Sequence, residues 1–180
     1  MKKFITLALV LGFLSPAMAT NLGVKAGVGL TNFSTDPDVG GSSGTRFMGG
    51  AALELDLAES VYFQPEVLYT SYAQSGATSS LDYLAVPMLL KAKFAAGAVS
   101  PFLVAGPALG LRLSSATGSV YKSINFSLDF GGGLEIPAGS VAVTLDVRYS
   151  LGLTNTLDTT TTLSQKTKAL QFLAGVSFPL

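Results

Sequence analysis

Hydrophobic and polar residues alternate along most of this chain, and the clearest example runs from Val141 to Leu153. In that segment every odd position is apolar, whereas the charged Asp146 and Arg148 occupy even positions. A period of two places alternate side chains on opposite faces of a β-strand. The segment therefore predicts a strand with one apolar and one polar face, and the function of the protein depends on which face meets water.

The same alternation recurs along the chain and predicts eight strands. They cover residues 22–32, 45–57, 61–72, 81–94, 99–113, 123–136, 141–154 and 167–179. Most of them exceed the roughly 9–11 residues that a tilted strand needs to cross the hydrocarbon of a bilayer, and also the ~5–6 residues typical of soluble sheets. Strand length thus favours a sheet that spans a membrane.

The connections between these strands differ in length. Short ones are predicted at residues 58–60, 95–98 and 137–140, and longer ones, rich in Ser, Thr, Gly and Asp, at 33–44, 73–80, 114–122 and 155–166. Short turns on one side and long loops on the other are typical of outer-membrane barrels, in which the short turns face the periplasm. The predicted fold is all-β, an eight-stranded antiparallel up-and-down transmembrane β-barrel with both termini on the short-turn side.

One register of each strand is almost purely apolar, and the opposite register carries nearly all of the strand charges. Equal numbers of both signs suit a narrow lumen, since a small barrel is filled by its own side chains and an unpaired buried charge costs several kcal/mol. We expect a structural charge network in the lumen, made of Lys25, Arg46, Glu54, Asp56, Glu66, Lys91, Lys93, Arg112, Asp129, Glu135, Asp146 and Arg148.

Four further expectations concern the barrel. Within the network, the expected neighbours are Asp129 with Arg148, and Lys25 with Glu54 or Asp56. The many inward glycines are expected to leave room for long charged side chains. Pro65, Pro87 and Pro107 predict bulges or local irregularity, because proline has no backbone N–H to donate to the neighbouring strand.

Outward aromatic residues predict two girdles, with Phe63, Phe94 and Phe178 near the short turns and Phe33, Phe47, Tyr69 and Phe126 near the long loops.

Composition supports the outward orientation of the apolar face. Charged residues make up only 12% of the chain and the mean hydropathy is +0.49, whereas an average soluble domain has about 25% charged residues. Without Lys2 and Lys3, nine basic side chains face eleven acidic ones, which argues against a nucleic-acid partner. The chain has no cysteine, which excludes disulfides, thiolate metal sites and a lipid-modified cysteine.

The N-terminal segment predicts export from the cytoplasm. Lys2 and Lys3 precede an apolar run over residues 4–14 and the small-residue cleavage pattern Ala17-Met18-Ala19, as in a secretory signal peptide. The predicted division is a signal peptide at residues 1–19 and a single barrel domain at 20–180. An uncleaved anchor is the alternative, but the run is shorter than the ~20 residues of a spanning helix. A helix over residues 94–111 is a further alternative, opposed by Pro101 and Pro107.

The residues needed for common catalytic and metal chemistry are missing. The absence of histidine removes Ser-His-Asp triads and the commonest metal ligand. The inward carboxylates could supply an acid/base pair, but the equal number of inward cations favours salt bridges. Residues 36–40 resemble the start of a calcium loop and lack its distal acid. We therefore predict no catalytic residue, no metal site, no cofactor and no enzymatic activity.

Several strings together resemble the PorT-like outer membrane β-barrel proteins, in order along the chain. They are GVKAGVGLTNF at residues 23–33, FQPEVLY at 63–69, LDYLAVPMLLK at 81–91, AGPALG at 105–110 and RYSLGLTN at 148–155. The resemblance implies a small eight-stranded barrel of the outer membrane, and some members of the family take part in protein secretion. One departure is the C-terminus, Phe178-Pro179-Leu180, where such barrels usually end in an aromatic residue that the assembly machinery reads.

The sequence thus predicts a monomeric, non-enzymatic protein of the bacterial outer membrane with a structural or interaction role. Its expected partners are outer-membrane lipid, the outer-membrane assembly machinery and, following the resemblance, a secretion apparatus or an extracellular partner. Two alternatives stay open at this stage. One is a narrow passive pore, and the other is a soluble lipocalin-like periplasmic binding protein whose apolar face lines a ligand cavity.

Overall fold

The computed structural model describes residues 19–36, 43–73, 81–113, 124–154 and 164–180. Its strands are β1 (Ala19–Asp36), β2 (Ser43–Ala58), β3 (Val61–Ala73), β4 (Leu81–Lys93), β5 (Ser100–Arg112), β6 (Ile124–Ala138), β7 (Val141–Gly152) and β8 (Ser164–Pro179). Each strand pairs with its sequence neighbours, and β1 pairs antiparallel with β8, so the sheet closes into a barrel. The predicted fold class is confirmed. Residues 1–18 of the predicted signal peptide and most of the candidate calcium loop lie outside the described residues.

Strands β1 and β8 extend further toward the long loops than the alternation predicts. Their ladder continues to Asp36, which lies opposite Ser164, whereas the predicted strand stops at residue 32. The apolar pattern marks only the part of a strand whose outer face contacts the hydrocarbon of the membrane. Beyond it, backbone pairing can continue with polar side chains, because each N–H and C=O still has a partner.

The three short connections are tight turns, as predicted. Ser60, Gly97 and Gly139 have positive φ angles of 65°, 67° and 70°, in the left-handed region that glycine adopts without a steric penalty. The segment around Gly97 is a turn between β4 and β5, so the alternative of a helix over residues 94–111 is wrong. No helix in the described part of the chain is long and apolar enough to cross a membrane.

The prolines interrupt the hydrogen-bond ladder without shifting its register. Pairing of β3 with β4 stops after Pro65 and resumes at Leu68, and pairing of β4 with β5 stops after Pro87 and resumes at Leu90. The β5–β6 ladder runs through Pro107. On the side of β5, the gap between β4 and β5 contains Pro107. The predicted irregularity is therefore confirmed at all three prolines, whereas the register shifts of the sheet fall near its short-turn end.

Burial alternates along the strands in the sense opposite to that of a soluble protein. Lys91 is 2% exposed and Leu90 beside it is 55% exposed, and Leu103 is 59% exposed beside the buried Phe102. A lysine inside and leucines outside suit an apolar surround and a polar lumen. The predicted face assignment is confirmed, and it is the reverse of what the lipocalin-like alternative requires.

Most of the predicted aromatic girdles lie on the outer surface. Phe94 and Phe178 are exposed near the short turns, and Phe47, Tyr69 and Phe126 are exposed toward the long loops. Phe63 is only half-buried, and the side chain of Phe33 lies outside the description. Phe130 and Phe172 are also exposed on the outer surface, so outward aromatic residues are not confined to the two predicted belts.

Several inward glycines lie where neighbouring strands approach closely, whereas at Gly29 the nearest atoms belong to the side chains of Met48 and Arg46, at 3.1 and 3.4 Å. A Cβ atom placed on Gly50 would lie 1.9 Å from the carbonyl oxygen of Val67, and one on Gly131 would lie 2.1 Å from that of Val147. Strands can approach this closely only where one of them lacks a side chain, which permits the sharp local bending that a narrow barrel needs. The expectation that these two glycines make room for charged side chains is therefore wrong.

Candidate functional site: the charged lumen

The alternation of the strands turns most of the predicted charge network into the barrel. The charged side chains that are buried are Lys25, Arg46, Glu54, Glu66, Lys91, Asp129, Asp146 and Arg148. Lys93, Arg112 and Glu135 are half-buried. Asp56 is exposed, because it lies beside a register shift at the short-turn end of β2, where the chain leaves the barrel wall.

The first cluster, here called the central network, consists of Lys25, Gln64, Glu66, Asp146 and Arg148. Arg148 donates from Nη1 and Nη2 to the two carboxylate oxygens of Glu66 at 2.7 and 2.8 Å, and from Nε to Asp146 at 2.9 Å. Lys25 Nζ lies 2.9 Å from Glu66 and 3.2 Å from Asp146, and Gln64 Nε2 donates to Glu66 at 2.5 Å. Two cations and two anions thus neutralise each other.

The central network crosses the lumen, because its members lie on β1, β3 and β7, which are not neighbours in the sheet. The planar guanidinium of Arg148 matches the fork of the Glu66 carboxylate, and such bidentate pairs are among the strongest charge-assisted hydrogen bonds. Arg148 and Glu66 are each 1% exposed. Their separation from water makes the pair sensitive to the loss of either partner.

The second cluster, here called the turn-end network, lies closer to the short turns and consists of Asn21, Glu54, Lys91, Lys93 and Glu135. Lys91 Nζ lies 2.7 Å from Glu54 and 2.9 Å from Glu135, and Lys93 Nζ lies 2.5 and 3.0 Å from the same two side chains. Asn21 also donates to Glu54 at 2.9 Å. The four charges form a closed square of alternating sign, which is again neutral.

Aromatic rings support the cations of the turn-end network. The ring centroid of Phe102 lies 4.4 Å from Lys91 Nζ, and that of Tyr62 lies 4.3 Å from Lys93 Nζ. Ammonium groups at this distance from a ring face are attracted by its quadrupole. Each lysine therefore has two carboxylates and one ring around it, which leaves little space for water beside the ammonium groups.

The ion pairs differ from the expected neighbours. Arg148 binds Glu66 and Asp146 and does not form the expected pair with Asp129, and Lys25 binds the same two carboxylates and not Glu54 or Asp56. The expectation considered strands adjacent in the sheet. Long side chains in a narrow lumen instead reach across it to the opposite wall.

Asp129 lies apart from both networks. Ser127 and Ser150 donate to its Oδ1 atom at 3.2 and 2.5 Å, and the ion pairs of the two networks do not include it. Asp129 lines a cavity of about 60 Å³ in the long-loop half of the lumen, together with Arg46 and Gln171. A smaller cavity of about 20 Å³ lies between the two networks.

Sequence analysis missed the uncharged members of the lumen. Gln64 and Asn21 complete the hydrogen bonding of the two networks, and Ser127 and Ser150 hold Asp129. The signal that could have found them is the inward register, which all of them share with the charged residues. Phe102 was not expected beside a cation, because periodicity alone does not show which inward residues share a level of the barrel.

The chemistry available to the lumen follows from these contacts. The carboxylates of both networks accept hydrogen bonds from lysine or arginine, so they are committed to charge pairing. Within the described ranges, no three residues among His, Cys, Asp and Glu are grouped so as to hold a metal ion. The arrangement can stabilise and fill a barrel, and the larger of the two cavities described above lies around Asp129.

A closed antiparallel barrel of eight strands, with an apolar outer surface and a charged, packed interior, defines a small barrel protein of the bacterial outer membrane. The sequence model of the outer membrane protein beta-barrel domain family matches residues 4–178. The chain belongs to this family. A search of curated protein sequences gives no significant match.

Solved structures with the same fold are distant in sequence. Neisserial surface protein A is 18% identical with a TM-score of 0.60, over 88% of this chain and 97% of that one. The outer membrane enzyme PagL is 16% identical with a TM-score of 0.54, over 86% of this chain and 100% of that one. Ail of Yersinia pestis is 16% identical with a TM-score of 0.48, over 89% and 100% of the two chains. At these identities the first two comparisons show a shared fold alone.

Proposed function

We propose that the protein is a non-enzymatic and non-conducting barrel with a structural or interaction role in the outer membrane. The observation that carries this proposal is the pairing of the lumen charges with one another. The central and turn-end networks are each neutral, and each crosses the lumen between strands that are not neighbours. Charges that satisfy one another across the interior connect the walls of the barrel.

Conduction through this lumen would require the paired charges to separate. Glu66 is held by Arg148 and Lys25 and is 1% exposed, and removing a partner from such a pair costs about 3–5 kcal/mol. The proposed absence of catalysis rests on the same pairing, since carboxylates held by lysine and arginine are poor general bases. The likeness to the enzyme PagL supports the shared fold and does not carry an activity to this chain.

The outer surface supports a lipid environment as the first partner. The exposed side chains of the strands include Leu90, Leu103 and Val147, which suit contact with acyl chains. We propose a monomer that reaches the outer membrane by means of the signal peptide at residues 1–19 and the assembly machinery. Phe178 is exposed on the outer surface in the last turn-side part of β8, and we propose that the assembly machinery binds this aromatic residue.

The resemblance of five strings to the PorT-like proteins makes a protein-secretion apparatus the first interaction partner to test. The test is deletion of the gene, followed by comparison of secreted proteins, and cross-linking of the tagged protein in intact cells. Loss of secreted proteins together with capture of apparatus components would support this role. Unchanged secretion and capture of no apparatus component would remove it and would leave the structural role intact.

Planar-bilayer recording tests the non-conducting lumen directly. The refolded protein is expected to give no current steps above the lipid background at an incorporation level at which a porin, recorded in parallel, conducts. Reproducible ion-selective steps from the wild-type protein would overturn the proposal. Mass spectrometry of outer-membrane lipids with and without overexpression tests the absence of lipid-modifying activity, and a new lipid species would contradict it.

A further inference from the structure

The apolar outer surface does not reach the same height on all sides of the barrel, where height means distance along the barrel axis toward the long loops. Heights on different strands can be compared by following paired residues around the sheet. From Lys168 the pairing passes through Leu151 and Leu128 and, after all eight strands, returns to β8 at Phe178, ten residues further along the chain. Each step in this direction therefore descends by slightly more than one residue, and one residue corresponds to about 2.5 Å of height at a strand tilt of ~40°.

Polar side chains of the outward register mark the upper limit of the apolar surface on β8 and on β2 to β4. On β8 this residue is the exposed Lys168, and at the same height, to within about one residue, β2, β3 and β4 have Thr45, Ser71 and Asp82. Charged side chains on the lipid-facing surface are unfavourable in the hydrocarbon of a bilayer. These residues therefore set an upper limit for the hydrocarbon on this half of the barrel.

Apolar side chains continue to greater heights at the long-loop ends of β5, β6 and β7. Leu113, Ile124 and Leu153, here called the raised edge, are 56%, 51% and 61% exposed. The backbone N–H groups of Leu113 and Leu153 donate to carbonyl oxygens of the neighbouring strands at 2.9 and 2.8 Å, so both residues belong to the barrel wall. The raised edge reaches about two residues, or ~5 Å, above the level of Lys168. It continues the lipid-facing surface without a polar interruption, since the outward residues beneath it are Leu111, Phe126 and Leu151.

The short-turn edge of the apolar surface differs in the opposite sense. Leu57 at the lower end of β2 is 52% exposed, whereas Ile136 at the lower end of β6 is 36% exposed, and Leu57 lies at least as close to the short turns. Strands β2 and β6 form opposite walls, because three strands separate them on each side of the closed barrel. The apolar surface is thus displaced toward the long loops on β6 and toward the short turns on β2.

We infer that the barrel lies tilted in the outer membrane, with its long-loop end leaning toward β6, so that acyl chains of the outer leaflet cover the raised edge. This inference rests on the proposed lipid environment and adds an orientation within it. In an upright barrel the raised edge would lie at the height where Lys168 and Thr45 meet headgroups and water. Tilting removes this mismatch at both edges, because the β6 wall sinks and brings Ile124 into the hydrocarbon, while the β2 wall rises and brings in Leu57.

The test measures the depth of single spin labels in the full-length mature protein, refolded into phosphatidylcholine vesicles. The chain has no cysteine, so each Cys variant carries one label, and depth follows from its accessibility to oxygen and to a water-soluble nickel chelate. Ile124→Cys and Thr45→Cys are the matched pair on opposite walls. In a tilted barrel the label at position 124 should be the deeper by ~5 Å, whereas in an upright barrel it would be the shallower by about 2.5 Å, because Ile124 lies about one residue closer to the long loops.

A second pair, Leu57→Cys and Ile136→Cys, reports on the short-turn edge. In a tilted barrel the label at position 57 should be the deeper of the two. If one variant of the first pair does not fold, Leu153→Cys replaces Ile124→Cys and Ser71→Cys replaces Thr45→Cys, since these residues lie at similar heights on adjacent strands. Heat-modifiable gel mobility shows whether each labelled variant has formed the barrel.

The two pairs together decide between the possible orientations. A deeper label at position 124 than at 45, with a deeper label at 57 than at 136, supports the tilt. Equal depths in the upper pair, or a shallower label at 124, would overturn it and would leave the raised edge to a protein partner. The expected order in the upper pair with equal depths in the lower pair would show local thickening of the leaflet and also overturn the tilt. Equal depths in folded, inserted variants would leave the proposed membrane barrel intact, whereas failure of every variant to insert would contradict that proposal.

Discussion

Arg148 is the residue whose replacement tests the central network most directly. Its side chain is buried and donates to both Glu66 and Asp146, and Lys25 is the other cation of the cluster. Replacement by Met keeps most of the length and removes the charge. The two carboxylates then share one lysine, which leaves one uncompensated negative charge in the lumen, and breaking a buried pair in this way costs about 3–5 kcal/mol.

Urea unfolding of the refolded protein in detergent measures this loss. The folded fraction can be followed by far-UV circular dichroism and by heat-modifiable gel mobility. With a slope of about 2 kcal/mol per molar urea, the midpoint of Arg148→Met should fall by about 1.5–2.5 M. Lys168→Met removes a cation that is exposed on β8 and should change stability by less than about 0.5 kcal/mol.

A double variant distinguishes the effect of removing the whole ion pair from the effect of removing one of its side chains. Arg148→Met combined with Glu66→Met leaves Lys25 facing Asp146, a neutral pair, so the double variant should be more stable than Arg148→Met alone. Buried ion pairs replaced as a whole by apolar residues are often neutral in stability. An unchanged midpoint for Arg148→Met would refute the reasoning, and so would a double variant whose loss equals the sum of the two single losses.

Three further predictions concern the wall, the outer surface and the turn-end network. Gly50→Ala should abolish refolding, because its Cβ would lie 1.9 Å from a carbonyl oxygen of the neighbouring strand. Gly49→Ala is the control and should refold normally, because the nearest atom to a Cβ at Gly49 is 3.6 Å away. Equal yields of folded protein from the two variants would contradict this prediction. Val147→Arg, on the exposed middle of β7, should lower the free energy of unfolding in lipid by about 2–4 kcal/mol, and Ile136→Arg, near the short turns, should lower it by about 0–1 kcal/mol. Equal urea midpoints of the two variants in lipid vesicles would contradict the assigned depths of these residues in the membrane. Each cluster keeps one lysine when the other cation is removed, but the turn-end network is less completely buried. Lys91→Met should therefore lower the urea midpoint less than Arg148→Met does, and a larger drop would contradict this.

Alternation made the strands and their faces predictable, because a barrel wall has only two faces and consecutive side chains must point to opposite ones. It placed Lys25 and Arg148 in the lumen correctly from the sequence alone. It did not identify their partners, since these depend on the depth at which each strand lies and on which opposite walls a long side chain can reach. Asp56 shows the same limit, because a register shift at a strand end leaves no trace in the hydrophobic pattern. The role of Gly50 also needed the structure, since the sequence does not show how closely two strands approach.

The placement of the central network on β1, β3 and β7 has a consequence for how the barrel forms. Lys25 lies on the first strand and meets Asp146 on the seventh, so this contact exists only once β1 and β8 have joined. In an open sheet Lys25 and Glu66 lie two strands apart, and Asp146 and Arg148 share one strand, so the contacts that join these two pairs, Lys25 with Asp146 and Arg148 with Glu66, form only as the sheet curls and closes. Closure therefore completes the electrostatics at the same moment as the last backbone ladder, which makes seam formation and lumen pairing a single cooperative event and disfavours partly open barrels in the membrane.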